Sequence, residues 1–196
     1  MHASPEVGDE TPVWEFWMIK LYKRSTTSIE YWEAWQHGSG LVIHTGAVGA
    51  EDQATQRGLN PGASLDDTIA TLANEQMKRG FDEVDPDDHA VLIVQVPTDG
   101  AQPTPAEMDK RFEIEDALNQ LLGWIGAGEV DGGDAGSGTM NVFALIVAVD
   151  PVVPRVLDWL RETGLSEIAR VASRGPGDED ELVVHHPPNF EGDFDY

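Results

Sequence analysis

Cysteine is absent from this sequence of 196 residues. Its absence excludes disulfide bonds, thiolate metal ligands and cysteine nucleophiles, and it favours a cytoplasmic location. No apolar run approaches the ~20 residues with which a helix crosses a bilayer. The opening stretch, MHASPEVGDE, is acidic and contains no apolar segment, so it does not predict a secretory signal.

Basic residues are scarce. The chain has 12 Lys and Arg against 36 Asp and Glu, which gives a net charge of -24 at pH 7. Nucleic-acid affinity depends largely on Lys and Arg that displace counterions from phosphates, and neither half of the chain carries a basic stripe. Tight binding to nucleic acids or anionic membranes is therefore disfavoured. A basic protein partner fits this charge, and so does plain solubility or adaptation to a salty environment.

The first half has the pattern of a small antiparallel sheet closed by one helix. Alternating aromatic and β-branched residues predict four strands, at 13–22, 28–36, 41–44 and 52–58. In the second of these, Tyr31, Glu33 and Trp35 should point to one face. Ser64 is the expected N-cap of the helix, with Gly80 as its stop.

The second half alternates strands and helices. Strands are predicted at 90–96, 140–149, 168–173 and 182–185, and a further one at the start of the glycine-rich segment 129–139. One helix opens with Thr104-Pro105 and Glu107. A second begins at Asp150-Pro151 and ends at Gly164. The order β-α-β-β-α-β with a final strand is that of the ferredoxin-like, split βαβ arrangement.

The sequence thus predicts an α+β protein of two domains. The first is a sheet-and-helix domain at residues 10–84, and an acidic linker follows at 85–89. The second is a ferredoxin-like domain at 90–186, followed by a tail at 187–196. The order of elements in the second domain is also similar to that of ACT-like modules, which sense small molecules.

Three segments of the first half carry a family resemblance: FWMIKLY (16–22), YWEAWQHGSGLVIHTGAVGAEDQATQ (31–56) and SLDDTIATLANEQMKRGFDEV (64–84). Together they resemble the WGR domain of poly(ADP-ribose) polymerases and bacterial regulators. Lys78-Arg79-Gly80-Phe81 matches the end of that family's helix, and Val48-Gly49 matches the residues after its signature. The resemblance implies a sheet closed by one helix and, in members that bind DNA, recognition of nucleic-acid ends.

The Trp-Gly-Arg signature itself is replaced by Thr45-Gly46-Ala47. In DNA-binding members the Trp stacks on a nucleic-acid end and the Arg meets phosphate; Thr45 and Ala47 can do neither. The retained glycine is expected to serve a positive φ, so residues 44–49 are predicted to form only a turn. If nucleic-acid binding persisted, its candidate contacts would be Lys20, Lys23, Arg24 and Arg57.

Candidate sites for chemistry are few. The segment Glu129–Thr139, with Asp131 and Asp134 among its glycines, could offer oxygen ligands to a hard cation, but its spacing fits no known loop and a flexible hairpin is the simpler interpretation. His185-His186 should point to opposite faces of a strand. His44, with Glu33 or Glu51 nearby, could act as an acid–base group or be a satisfied strand histidine. No catalytic, cofactor or metal site is predicted.

The tail places Phe190, Phe194 and Tyr196 among acids. Such a segment can dock into a basic groove, fray, or fold back on its own domain. We therefore predict a non-enzymatic, acidic protein-binding or regulatory protein. It could neutralise a toxin or mimic a nucleic acid, and its contacts with a basic partner would include these three aromatics, Asp131 and Asp134. The alternatives are a DNA-end-binding module and a small-molecule sensor.

Overall fold

The computed structural model describes residues 18–52, 54–59, 62–177, 181–192, 194 and 196. They form two antiparallel sheets, of four and five strands, and three α-helices. The predicted α+β class is therefore confirmed. Within these ranges, no helix has the length and apolar character needed to cross a membrane. Residues 13–17 of the first predicted strand lie outside the described residues.

The first sheet is a meander followed by a helix. Its elements are β1 (Met18–Arg24), β2 (Ile29–His37), β3 (Gly40–Ala47), β4 (Ala54–Gly58) and α1 (Leu65–Met77). Ser64 caps α1 by accepting a hydrogen bond from the backbone N–H of Asp67, and Gly80 has the positive φ of a helix stop. Both predictions are confirmed.

Alternation along β2 divides the first sheet into two faces. Trp32 and Ala34 pack with Ile69 of α1 in one cluster, whereas Tyr31 belongs to a different and larger cluster. Each strand residue follows the period of two that the sequence predicts. The face that carries Tyr31 is therefore the face available to the second half of the chain.

The second sheet has the strand order β6-β7-β5-β8-β9. Its elements are β5 (Ala90–Pro97), α2 (Pro105–Trp124), β6 (Gly128–Gly136), β7 (Thr139–Ile146), α3 (Val149–Glu162), β8 (Arg170–Arg174) and β9 (Leu182–His186). The predicted capping box of α2 is present, because Thr104 and Glu107 each bond the other's backbone N–H. Leu92 and Val94 of β5 lie in the cluster that α2 and α3 cover.

Two boundaries in the second half differ from the sequence prediction. The strand predicted at the start of the glycine-rich segment continues through Gly136 as β6, in place of most of the predicted flexible hairpin, and only Ser137-Gly138 lies between β6 and β7. The glycines allow α2 to approach: a Cβ on Gly133 would lie 2.5 Å from Nη1 of Arg111. The next helix begins at Val149, so β7 ends at Ile146 instead of Val149.

The two halves meet through a shared apolar cluster. Tyr22, Tyr31 and Val48 from the first half belong to the same cluster as the core of the second sheet. The N–H of Gly49 donates to the carbonyl of Ile125 at 2.9 Å, and Arg24 donates to the carbonyl of Val147 at 3.1 Å. The domain and linker boundaries drawn from the sequence stay predictions.

Gly126 is the closest point of this junction. A Cβ there would lie 2.2 Å from Cδ1 of Tyr31, and the residue has φ +63°. Both the space and the backbone conformation therefore require glycine. Gly123, three residues earlier in α2, is the opposite case: apart from its chain neighbours and the backbone of its own helix, no atom lies within 4 Å of a Cβ built on it.

These two glycines give a matched pair of stability predictions. Gly126→Ala should lower the free energy of unfolding by more than about 1 kcal/mol, because it adds left-handed strain and a clash with Tyr31. Gly123→Ala should raise it by about 0.5–1 kcal/mol, because it improves helix propensity in open space. Urea unfolding measures both. Equal effects would contradict the close contact at Gly126.

Candidate functional site

A continuous polar chain is buried at the junction. Nζ of Lys20 lies 3.2 Å from Oε2 of Glu33, and Oε1 of Glu33 lies 2.7 Å from Nδ1 of His44. Nε2 of His44 lies 2.8 Å from the hydroxyl of Tyr31. Glu33, His44 and Tyr31 are 4%, 1% and 1% exposed, so water cannot replace these contacts. In this buried, low-dielectric position an unpaired polar group would be strongly destabilising, and each of these side chains has a hydrogen-bond partner in the chain.

Strand register builds this chain. Lys20 of β1 stands opposite Glu33 of β2, which stands opposite His44 of β3. Tyr31 lies two residues before Glu33 and so shares its face. The sequence suggested Glu33 or Glu51 as the partner of His44, and the structure selects Glu33. Glu51 pairs instead with Arg155 of α3.

With Lys20 and Glu33 ionised and the His44 ring neutral, the hydrogens of this chain can be assigned in one way. As a carboxylate beside the Lys20 ammonium, Glu33 can only accept, so Nδ1 of His44 carries the hydrogen. Nε2 of a neutral imidazole then accepts from the Tyr31 hydroxyl. Burial, with a smaller contribution from the Glu33 carboxylate, raises the pKa of Tyr31 above its ordinary value, which keeps the hydroxyl neutral and able to donate. In this assignment Lys20 and Glu33 balance each other, and the chain is neutral.

A cleft of about 990 Å³ opens above this chain, between the two sheets. His44 forms part of its wall, with Trp35 and Trp124 on either side. The ring of His44 meets that of Trp35 edge-on at 6.4 Å and that of Trp124 at 5.5 Å. Trp124, the last residue of α2, is 56% exposed. Trp124 was not among the site residues predicted from the sequence. The one feature that could have indicated it is a large aromatic residue at the end of a predicted helix.

The cleft is suited to binding more than to acid–base chemistry. Both ring nitrogens of His44 already have partners within the chain. Among the residues that the structure describes, no three His, Asp or Glu side chains lie close enough to hold a metal ion. What the cleft offers a ligand is aromatic surface and the exposed carboxylates Glu83 and Glu129 on its walls.

The tail aromatics lie against the helix-free face of the second sheet. The ring of Tyr196 lies 6.1 Å from that of Phe143 on β7, and the Arg170 guanidinium lies 5.0 Å above the ring of Phe190. Phe194 connects them, with its ring 6.4 Å from that of Phe190 and 6.2 Å from that of Tyr196. Of the three predicted possibilities for the tail, the structure shows the fold-back on its own domain.

A polar ladder crosses the same face. Asn141 donates to Asp134 at 2.7 Å, Gln95 donates to Asn141 at 2.9 Å, and Arg170 donates to Gln95 at 3.0 Å. These residues are in register across β6, β7, β5 and β8. Asp134 therefore shares a face with Phe190 and Tyr196.

Asp131 and the paired histidines lie elsewhere. Asp131 is the extra residue of a bulge in β6, where the register shifts between Val130 and Gly132. His185 lies 2.7 Å from the hydroxyl of Ser173, and burial lowers the pKa of its imidazole. His186 bonds the carbonyl of Ser166. His185 is the extra residue of a bulge in β9, where the register shifts between Val171 and Ala172, so the strict alternation behind the predicted opposite faces does not hold at this pair.

The four predicted nucleic-acid contacts divide between the two faces of the first sheet. Lys20 pairs with Glu33 and Arg24 bonds the carbonyl of Val147, both on the face toward the second sheet. Lys23 packs over the ring of Phe81 at 5.7 Å on the α1 side, and Arg57 lines a groove beside α1. The structure does not bring these four side chains together.

The positions that correspond to the Trp-Gly-Arg signature form strand, which corrects the predicted turn. Thr45, Gly46 and Ala47 lie in β3 and pair with Trp32, Tyr31 and Glu30, and the chain turns only after them. Gly46 has no positive φ. Glycine is needed because a Cβ would lie 2.0 Å from the Asp52 carboxylate, whose Oδ2 accepts from the N–H of Ala47 at 3.1 Å.

Comparisons with known proteins leave the family open: no family model matches the chain, and no curated protein or solved structure matches it either. The WGR resemblance accordingly stays a prediction. Any function must be argued from the geometry of the cleft, the tail and the charge.

The polar chain predicts a specific cost for one hydroxyl. Tyr31→Phe should lower the free energy of unfolding by about 1–3 kcal/mol, because it leaves Nε2 of His44 buried without a donor. Tyr196→Phe also removes a hydroxyl, but its partner Arg174 is at the surface, so the cost should stay within about 0.5 kcal/mol. Chemical denaturation compares the two. Equal losses would argue against the buried bond.

The tail contacts predict a stabilising role. On the helix-free face, Ile93 of β5 stands opposite both Phe143 of β7 and Ala172 of β8, and Ile93 and Ala172 are fully buried. Deleting residues 189–196 should expose them and lower the free energy of unfolding by about 2 kcal/mol. Full-length Tyr196→Phe again serves as the control. An unchanged thermal midpoint would mean that the tail does not cover this face.

Proposed function

We propose that this chain is a non-enzymatic, acidic binding protein whose carboxylates hold a basic protein partner. One observation carries the proposal: its own basic residues cannot balance its acids. The 36 Asp and Glu exceed the 12 Lys and Arg by 24. Such a surface attracts basic partners and speeds their association.

The disposition of the bases supports the proposal. Among the described residues, five Lys or Arg side chains pair with carboxylates of the chain. Five more have a hydrogen bond or ring contact within it: Lys23, Arg24, Arg79, Arg170 and Arg174. Ten of the 12 are thus engaged internally, and the unbalanced charge on the surface is negative.

The finer fold assignments are proposals as well. The order β6-β7-β5-β8, with helices between β5 and β6 and between β7 and β8, supports a ferredoxin-like second half. A four-strand meander with one following helix supports a WGR-like first half. Neither assignment implies a function by itself.

A small-molecule-sensing function is the second candidate. Such a function needs a pocket, and none could be identified from the sequence. The cleft of about 990 Å³ between the sheets supplies one. DNA-end binding has less support, since its four candidate bases lie on opposite faces and three of them have partners within the chain.

The proposal is tested by purifying the partner and rebuilding the complex. The full chain is used to capture a partner from its natural host, the captured protein is purified separately, and calorimetry measures binding at two salt concentrations. We expect a basic protein, one-to-one stoichiometry and a dissociation constant below about 1 μM that rises with salt.

Blunt, nicked and single-stranded DNA form the parallel arm of this experiment. We expect no submicromolar DNA binding at physiological salt. Tight, salt-sensitive DNA binding would overturn the proposal in favour of the DNA-end-binding alternative. A partner that is neutral or acidic would overturn it as well.

A further inference from the structure

We propose that the cleft between the two sheets receives a Lys or Arg side chain of the basic partner, and that Trp124, Glu83 and Glu129 bind its cationic group. The inference rests on the proposed function and deepens it by naming the contact surface. The remaining acids would then steer the partner, while the cleft would provide the specific contact.

The charge of the cleft fits a cation. Glu33, Glu83 and Glu129 line it, with the two histidines His44 and His89, and Lys20 is the only Lys or Arg among the described residues of its lining. Lys20 is already used to balance Glu33. Glu83 and Glu129 are both exposed, and they come from different halves of the chain. A cation between them would meet two carboxylates that the cleft itself leaves unbalanced.

The end of α2 adds to this negative potential. Asn119, Gln120, Gly123 and Trp124, from its last turn and a half, line the cleft. The C-terminus of a helix carries a partial negative charge from its unpaired carbonyls. Natural helices often place Lys or Arg there, but the last turn of α2 contains no basic residue. The backbone N–H groups of Ile125, Gly126 and Ala127 satisfy three of these carbonyls, and the partial charge that remains at the helix end favours a cation supplied from outside.

Aromatic surface supplies the second part of the recognition. Trp124 is 56% exposed and Trp35 is partly exposed on the other side of His44. A guanidinium or ammonium over an indole ring is attracted by the ring's negative face. Lys20 shows this chemistry within the same cleft, since its Nζ lies 5.9 Å from the ring centroid of Tyr22 and 3.2 Å from the Glu33 carboxylate.

The apolar lining suits the stem of the same side chain. Met18, Val84 and Pro86 line the cleft beside the acids, and Met18 is 50% exposed. Lys and Arg bury their methylene chains on apolar surface while the charged head reaches a polar site. A small, compact inorganic cation would gain nothing from these residues. The combination selects an alkyl cation.

The test uses the capped peptide acetyl-Arg-Ala-Arg-amide and the full chain labelled with ¹⁵N. The indole N–H signals of the Trp residues are recorded as peptide is added, and their shifts give the dissociation constant. We expect saturable shifts at Trp35 and Trp124. The same peptide with citrulline in place of arginine has no charge, and it should not shift them.

Two variants of equal charge separate the cleft from general electrostatics. Glu129→Gln and Glu162→Gln each change the net charge by one, but only Glu129 lies in the cleft; Glu162 is an exposed residue at the end of α3. Glu129→Gln should weaken peptide binding about three- to tenfold, and Glu162→Gln by less than about twofold. Equal weakening by both would overturn the inference.

A third variant fills the cleft without disturbing the fold. Gly123→Phe places a ring where, apart from its chain neighbours and the backbone of its own helix, no atom lies within 4 Å of the new Cβ, so the variant should fold and lose the indole shifts. Retained shifts would overturn the inference. The titration is repeated with spermidine, a free polyamine. Tighter binding of spermidine than of the peptide would overturn the inference and assign the cleft to a small molecule.

Failure here is distinguishable from failure of the proposed function. If the purified basic partner binds with unchanged affinity to Gly123→Phe, the cleft assignment is wrong and the proposed function stands. If no basic partner is found, the proposed function fails whatever the peptide does.

Discussion

The carboxylate of Glu33 is the group on which the junction of the two sheets depends. It is buried, and it bonds a side chain from each neighbouring strand, Lys20 and His44. An isolated buried carboxylate would be strongly destabilising, so this arrangement persists only because both oxygens have partners. Through His44 it also fixes the hydroxyl of Tyr31, whose ring lies against Gly126 at the end of α2.

The same chain of contacts determines the shape of the cleft. Because Tyr31 sets the position of residue 126, it also sets the end of α2 and therefore Trp124. The floor of the cleft is held by the bonds between Lys20, Glu33, His44 and Tyr31, whereas its rim carries exposed carboxylates and an exposed indole. A floor whose side chains are bonded to one another is suited to recognition, since a pre-organised site loses less conformational freedom when a partner's cation binds.

The sequence predicted most elements because local signals were strong. The caps at Ser64 and Thr104 and the alternation around Tyr31 and Glu33 all agree with the structure. The strand predicted at the start of the segment 129–139 proved longer than expected and takes in most of the predicted flexible hairpin, because its glycines serve close packing by α2 rather than flexibility. The partners of Glu33 could not be predicted without the strand register, and the cleft could not be predicted without the contact between the two halves. Both depend on residues that are distant in sequence.

The hydrogen assignment of His44 is the most direct test of this account, because the neutral, fully paired chain requires it. Nitrogen-15 NMR of the imidazole at pH 7 distinguishes the three forms of the ring. We predict a neutral imidazole with its hydrogen on Nδ1 and a lone pair on Nε2. A ring with its hydrogen on Nε2, or a doubly protonated imidazolium, would contradict the proposed chain from Lys20 to Tyr31.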